Sequence, residues 1–176
     1  MVFLRTITNT IIMSNKQQFV NELYSNNDGI YSVYMMIKYF NNNRFSTKKA
    51  VYVSELRKKL DNECWGDPHE NGQKYSPMKV INNTIQYKDE KNRIDKSLLK
   101  YPIIMCDGHV IDGMHRLAKA YINNYTLINA YTIDNDLLSK FLITPDLSNN
   151  GVVYAENLGK QYLDDLYNLR FANSKW

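Results

Sequence analysis

Glycine, proline and cysteine are scarce in this 176-residue chain, at 7, 4 and 2 residues. Two cysteines, Cys64 and Cys106, exclude the disulfide framework of a small secreted scaffold and read as reduced thiols of an intracellular protein, cytosolic or nuclear. Absent too is any apolar run of the roughly 18 residues that a membrane-spanning helix needs. The N-terminal stretch from Val2 to Met13 is broken by Arg5, Thr6, Thr8, Asn9 and Thr10, so it lacks the continuous core of a signal peptide, and Met13 offers a second start. An excess of one charge is also missing. The 22 basic and 18 acidic residues leave +4, dispersed along the chain, which is too weak a field to indicate nucleic acid by itself.

What is present is an ordinary globular balance, 44% hydrophobic and 23% charged, which excludes a disordered or collagen-like chain and suits one domain with a substantial core. Fourteen tyrosines and many asparagines, including Asn41-Asn42-Asn43 and the pairs Asn82-Asn83, Asn123-Asn124 and Asn149-Asn150, stand out. Asn, Tyr, Ile and Lys share AT-rich codons, so the bias reads as genomic and points to an AT-rich host or a virus. Asn also takes the left-handed turn positions that scarce glycine leaves open. The tyrosines are scattered, so a stacking platform for single strands is not indicated.

Periodicity predicts two N-terminal helices. Ser14 and Gln17 have capping-box spacing ahead of Phe19, Val20, Leu23 and Tyr24, with an end near Asn26. After the Asp28-Gly29 break, Ile30, Val33, Tyr34, Ile37 and Phe40 predict a second helix stopped by the asparagine run. A strand over 50–53 follows, then a brief helix capped by Ser54 and carrying Leu56 and Leu60. Residues 61–73, around Trp65-Gly66-Asp67-Pro68, and 82–94 read as irregular, with a short helix begun by Ser76-Pro77 between them.

The informative centre begins with an apolar strand over 102–106. Asp107-Gly108 signals a two-residue hairpin, 109–112 returns, and Gly113 opens a helix. Met114, Leu117, Ala118 and Tyr121 share one face of that helix, while His115, Arg116 and Lys119 cluster on the other. Beyond it the pattern predicts a strand over 126–133, a helix over 136–142, and a closing helix over 156–171 with Leu158, Tyr162, Leu166 and Leu169 inward.

A strand ending in Asp112 and turning through Gly113 into a helix leaves amide N–H groups without helical partners, which suits an anion. Gly113 lets backbone approach a ligand, and His115, Arg116 and Lys119 add cationic or donor groups. Asp112 is placed to hold Mg²⁺ or to accept a proton from an attacking hydroxyl. The ordinary alternative is an N-cap Asp and a surface helix showing Arg and Lys to water. Cys64, His69, Cys106 and His109 could be counted as a zinc set, although their spacings are atypical, and Trp65 either stacks on a base or plugs the edge of the core.

The run Tyr101-Pro102-Ile103-Ile104, the Asp107-Gly108 turn and Val110-Ile111-Asp112-Gly113-Met114-His115-Arg116-Leu117-Ala118-Lys119-Ala120 resembles the nucleotide-binding core of the ParB/sulfiredoxin superfamily. The likeness spans about 50–133 and is sharp over 101–120. It implies an α+β fold, a small mixed sheet flanked by helices, in which the strand–Gly–helix element binds the phosphates of ATP or CTP. Sulfiredoxins place a cysteine where this chain has Met114, so sulfinic-acid reduction is not expected. ParB clamps carry Glu-Arg-Arg where Met114-His115-Arg116 stands and continue into a helix-turn-helix domain, for which the roughly 40 residues after Ile133 are too few.

The Asp-Gly-x-His-Arg form looks most like the free-serine-kinase branch. That resemblance implies Asp112 as catalytic base or metal ligand, with Gly113, Met114, His115, Arg116 and Lys119 at the nucleotide. A second catalytic carboxylate, Glu63 in preference to Glu55, is implied from the segment after the first strand. The expected protein is a domain over 48–176 preceded by a two-helix extension over 1–47. It would act in the cytoplasm as an Mg²⁺-dependent small-molecule kinase or NTP hydrolase on a hydroxyl-bearing acceptor. Its rivals are a ParB-like DNA-associated protein or nuclease and a nucleotide-binding protein without catalysis.

Overall fold

The computed structural model describes residues 22–43, 48–66, 74–144 and 158–171. It is a mixed α+β protein whose chain divides into two compact units. One is Phe45–Asn135, and the other combines Met1–Arg44 with Asp136–Trp176. No helix among the described residues is long and apolar enough to cross a membrane.

In the unit formed by both ends of the chain, β1 (Leu23–Asn26) and β2 (Gly29–Ser32) make an antiparallel hairpin, and β7 (Leu142–Thr144) pairs antiparallel with β2. The described part of the predicted first helix is therefore a strand, and Ile30 belongs to β2 rather than to the second helix. The cause is local. Asn26 Oδ1 accepts from the backbone N–H groups of Asp28 (2.9 Å) and Gly29 (3.2 Å), forming a side-chain-stabilised turn that reverses the chain. Phe19 and Val20, counted in the same predicted helix, lie outside the described residues.

Helix α1 (Val33–Asn42) then starts at Ser32, whose Oγ accepts from Met35 N–H at 3.2 Å, and it stops at the asparagine run as expected. It buries Val33, Met35, Met36, Tyr39 and Phe40. The closing helix, described over Lys160–Phe171, turns Leu163, Tyr167 and Phe171 inward, whereas Tyr162 and Leu169 are exposed. Both faces are amphipathic by spacing, and aromatic packing selects between them. Phe171 lies 4.7 Å from Tyr167, 5.2 Å from Tyr39 and 5.3 Å from Phe141, centroid to centroid.

In the second unit the four strands expected near 50–53, 102–106, 109–112 and 126–133 are present and form one mixed sheet. β3 (Lys49–Tyr52) pairs antiparallel with β6 (Leu127–Ile133), β6 runs parallel to β4 (Ile103–Cys106), and β4 pairs antiparallel with β5 (His109–Asp112), so the order is β3-β6-β4-β5. Asp107 and Gly108 sit at φ +46° and +71°, the paired positive values of a tight hairpin turn that follows the right-handed twist of its strands. After β3 the chain forms α2 (Val53–Leu56) and a 3₁₀ turn (Arg57–Asp61). Ser54 lies inside α2 and is not its cap, but Leu56 and Leu60 are buried as expected.

Helix α3 (Pro77–Asn82) begins at Ser76, whose Oγ accepts from Lys79 N–H at 3.2 Å. Residues 82–94, read as irregular, contain most of α4 (Lys88–Lys96). A single apolar residue, Ile94, is buried there, so α4 carries no hydrophobic periodicity. Its support is electrostatic, with Asp89 and Glu90 in the first turn, Arg93 and Lys96 in the last, and a Lys91–Asp95 pair at 2.5 Å. Helix α5 (Met114–Ile122) packs on α2, α3, α4, β4 and β6 and buries Met114, Leu117, Ala118 and Ala120. The remaining helix, α6 (Asn135–Ser139), is shorter than predicted because the chain re-enters extended backbone at β7.

Candidate functional site

The site grows from the join between β5 and α5. Gly113 is the N-cap of α5, at φ +98° and ψ +22°, a left-handed conformation that other residues adopt only under strain. A Cβ at this position would stand 2.6 Å from Ile103 Cγ2, 2.7 Å from Arg116 Nη2 and 2.9 Å from Arg116 Nε. The space freed by the missing side chain is thus filled by β4 and by the Arg116 guanidinium. Since glycine offers no capping side chain, and the first bond of the helix is Leu117 N–H to Gly113 C=O at 2.9 Å, the N–H groups of Met114, His115 and Arg116 precede the helical ladder.

Arg116 closes back over this turn. Its Nη2 donates to Asp112 Oδ2 at 2.5 Å, one helical turn before it, and both side chains are about four-fifths buried, with 19% exposure each. Nε of the same guanidinium is buried with no hydrogen-bond partner. A buried donor left unpaired costs about 1–3 kcal/mol, so the fork is held in a half-satisfied state.

His115 is held differently. Its ring stacks on Trp65 at 4.6 Å and 18°, and its Nε2 lies 3.0 Å from Oε2 of Glu90, a carboxylate on α4 that is only 6% exposed. Oε1 of Glu90 accepts from Arg93 Nη1 at 3.1 Å. Trp65 is itself buried and packs edge-on against Tyr75, with which it exchanges backbone hydrogen bonds of 2.9 and 3.0 Å. It therefore plugs the core and buttresses the histidine instead of presenting a base-stacking face.

The other expected residues fall in distinct places. Met114 is buried in the α5 packing face. Lys119 donates to two backbone carbonyls at the end of α4, Asp95 O and Ser97 O, both at 2.7 Å. That is the position where a cation satisfies orphan carbonyls and complements the helix dipole. Glu63 is on the surface, paired with Lys79 at 2.8 Å, and the hydrogen bond from that ammonium holds its carboxyl below the ordinary range. Glu55 is exposed on α2.

Cys106 and Cys64 are buried free thiols. Cys106 Sγ donates to Asn135 Oδ1 at 3.4 Å, and burial, then Asp107 and Asp134, push its thiol up. Asn135 also donates to Asp107. His109 is exposed, and His69 lies outside the described residues. Among the described residues no three His, Cys, Asp or Glu side chains gather as a metal-binding group, so the zinc set finds no support in them.

The structure thus brings Asp112, Gly113 and Arg116 together and seats His115 beside them in sequence on its own buttress. Glu90 is the participant that sequence reasoning missed, because it falls in the stretch without apolar periodicity. Its signal was the charge pattern of 88–96, acidic first and basic last. No family model, curated protein or solved structure matches the chain.

Proposed function

We propose that the β5–Gly113–α5 turn binds a nucleoside triphosphate, ATP or CTP, through its phosphates, and that the protein is a phosphotransferase or NTP hydrolase of the ParB/sulfiredoxin kind. The observation that carries this is Arg116, whose Nε is buried and unpaired at the head of an uncapped helix. A guanidinium in that state gains by swinging onto an acceptor that takes two of its N–H groups, and a phosphate does so while also meeting the N–H groups that open α5. The likeness of 101–120 to that superfamily supports the same assignment.

Asp112 is the carboxylate beside this anion site. Its Oδ2 takes Arg116, and no protein-only cage of carboxylates surrounds it among the described residues, so Mg²⁺ fits only when phosphate oxygens supply most of its ligands. A divalent ion held there would supply neutralisation of phosphate charge, and Asp112 would orient or deprotonate the acceptor hydroxyl. His115 contributes from a fixed position. Glu63 is engaged with Lys79 and Lys119 with α4, so neither is needed in this scheme.

A second reading, nucleotide binding without turnover, is favoured by these same engagements, since with Glu63 held by Lys79 they leave Asp112 as the one expected catalytic carboxylate at the turn. A thermal-shift panel of nucleotides with and without Mg²⁺, followed by a phosphate-release assay, separates the two. Saturation at about 100 times Kd should add about 2.7 kcal/mol of apparent stability. Arg116→Ala should lose the shift, and Asp112→Asn should keep binding and lose turnover. Absence of a shift with every nucleotide overturns both readings, and a shift without release across a panel of hydroxyl acceptors selects the second.

A further inference from the structure

We infer that Glu90 is a positioning residue for His115, fixing the imidazole at the phosphate end of α5 in one tautomer and one orientation. Two constraints meet on the ring. Trp65, stacked at 4.6 Å and 18°, sets the plane of the imidazole, and Glu90 Oε2, 3.0 Å from Nε2, sets its rotation within that plane. A carboxylate accepts and does not donate, so Nε2 must carry the hydrogen, and the neutral ring is the Nε2–H tautomer.

Glu90 is suited to hold rather than to react. It is 6% exposed, it sits in the first turn of α4 where the helix dipole favours a carboxylate, and its second oxygen is occupied by Arg93 at 3.1 Å. Around it, Lys119 ties the far end of α4 to α5 through the carbonyls of Asp95 and Ser97, both at 2.7 Å. The helix that carries Glu90 is thereby fixed against the helix that carries His115. An arrangement of carboxylate, imidazole and indole that only filled space would not need a buried charge with both oxygens engaged.

The inference rests on the nucleotide reading for its purpose but not for its first measurement. Nitrogen-15 spectra of the two His115 ring nitrogens in nucleotide-free protein should show the Nε2–H form in the wild type and in Glu90→Gln, whose amide oxygen still accepts. Glu90→Ala should give a tautomer mixture, with folding checked by its backbone amide spectrum. A predominantly Nδ1–H ring in the wild type overturns the inference without any variant.

The second measurement is the Kd for ATP and CTP with Mg²⁺. Glu90→Ala should weaken binding about tenfold, with Glu90→Gln restoring it to within about twofold. If the wild type binds and folded Glu90→Ala binds equally with its tautomer unchanged, Glu90 has no positioning role. If Glu90→Ala and Glu90→Gln both bind tighter than the wild type, the carboxylate acts by repelling the phosphates, and the positioning role is again refuted. If the wild type binds no nucleotide while its ring is Nε2–H, the nucleotide reading fails and the Glu90–His115 dyad stands.

Discussion

Gly113→Ala tests whether the turn is built as described, because its effect divides into parts of known size. The first part is backbone. At φ +98° an alanine meets a left-handed penalty of about 1–2 kcal/mol, offset by about 0.4–1 kcal/mol from the stiffer unfolded chain. The second is steric. Its Cβ would stand 2.6 Å from Ile103 Cγ2, and Ile103 is fully buried in β4, so neither atom can move without disturbing a close-packed strand. Overpacking of this kind costs about 1–3 kcal/mol. The sum is about 1–5 kcal/mol, centred near 3 kcal/mol, a large share of the roughly 5–15 kcal/mol of a typical domain.

Gly108→Ala is the control. It has a similar backbone demand at φ +71° but nothing within 4 Å of its Cβ, so only the net backbone cost of about 1 kcal/mol applies. Urea unfolding followed by tryptophan fluorescence reads both, since Trp65 is buried in the same unit. The functional readout separates them further. The new methyl would displace the Arg116 guanidinium, 2.7 and 2.9 Å away, so nucleotide affinity should drop more than tenfold in Gly113→Ala and stay unchanged in Gly108→Ala. Equal destabilisation of the two variants, to within about 0.5 kcal/mol, would refute the steric reasoning.

Lys119→Ala should cost about 1–2 kcal/mol, because two carbonyls at the end of α4 lose a charged donor, while nucleotide affinity measured by titration stays within about twofold. A large loss of affinity with little loss of stability would return Lys119 to the phosphate site. Asp164→Asn should destabilise the unit that joins the chain ends by about 1–2 kcal/mol at neutral pH, since Asp164 takes Lys160 and Lys38 at 2.7 and 2.6 Å and the Tyr34 hydroxyl at 2.7 Å. Those hydrogen bonds hold its carboxyl far below the ordinary range. The folded state therefore binds the proton less readily than the unfolded one, and the contribution is complete above about pH 4 and lost as the pH falls further. Unfolding curves of wild type and variant should converge in acid and separate at neutral pH.

The central turn was legible in the sequence because every step there is dictated locally. Asp107-Gly108 admits two positive φ values, Gly113 a third, and the apolar face of α5 repeats at helical spacing. Ser76-Pro77 was legible for the same reason. The misses have tertiary causes. Leu23 and Tyr24 have helical spacing with their neighbours, but the turn made by Asn26 and the pairing with β2 place them in a strand. The buried face of the closing helix is chosen by Tyr39 and Phe141, distant in sequence. Helix α4 hides because its stabilisation is ionic, and with it went Glu90. For the site, the sequence grouped His115, Arg116 and Lys119 on one helical face, and only the fold shows that each has a different partner.

That division of partners carries an electrostatic consequence for the proposed activity. Lys119 is drawn to α4 and His115 to Glu90, which leaves Arg116, of these three, at the start of α5, where it is already paired with Asp112. A phosphate arriving at Arg116 meets the Asp112 carboxylate as well. Two unit charges about 5 Å apart near a protein surface repel by about 3 kcal/mol, more than the roughly 0.3–2 kcal/mol that a helix N-terminus offers in return. On these two contributions the proposed binding would be disfavoured without a divalent ion, and Mg²⁺ held by Asp112 would offset the repulsion. Asp112→Asn removes the repulsion and the ion's protein ligand together. Nucleotide binding that survives in this variant should consequently be tighter than the wild type's in chelator and largely insensitive to added Mg²⁺, while the wild type's depends on it. A variant that keeps the wild type's Mg²⁺ dependence would place the ion, and with it the phosphates, away from Asp112.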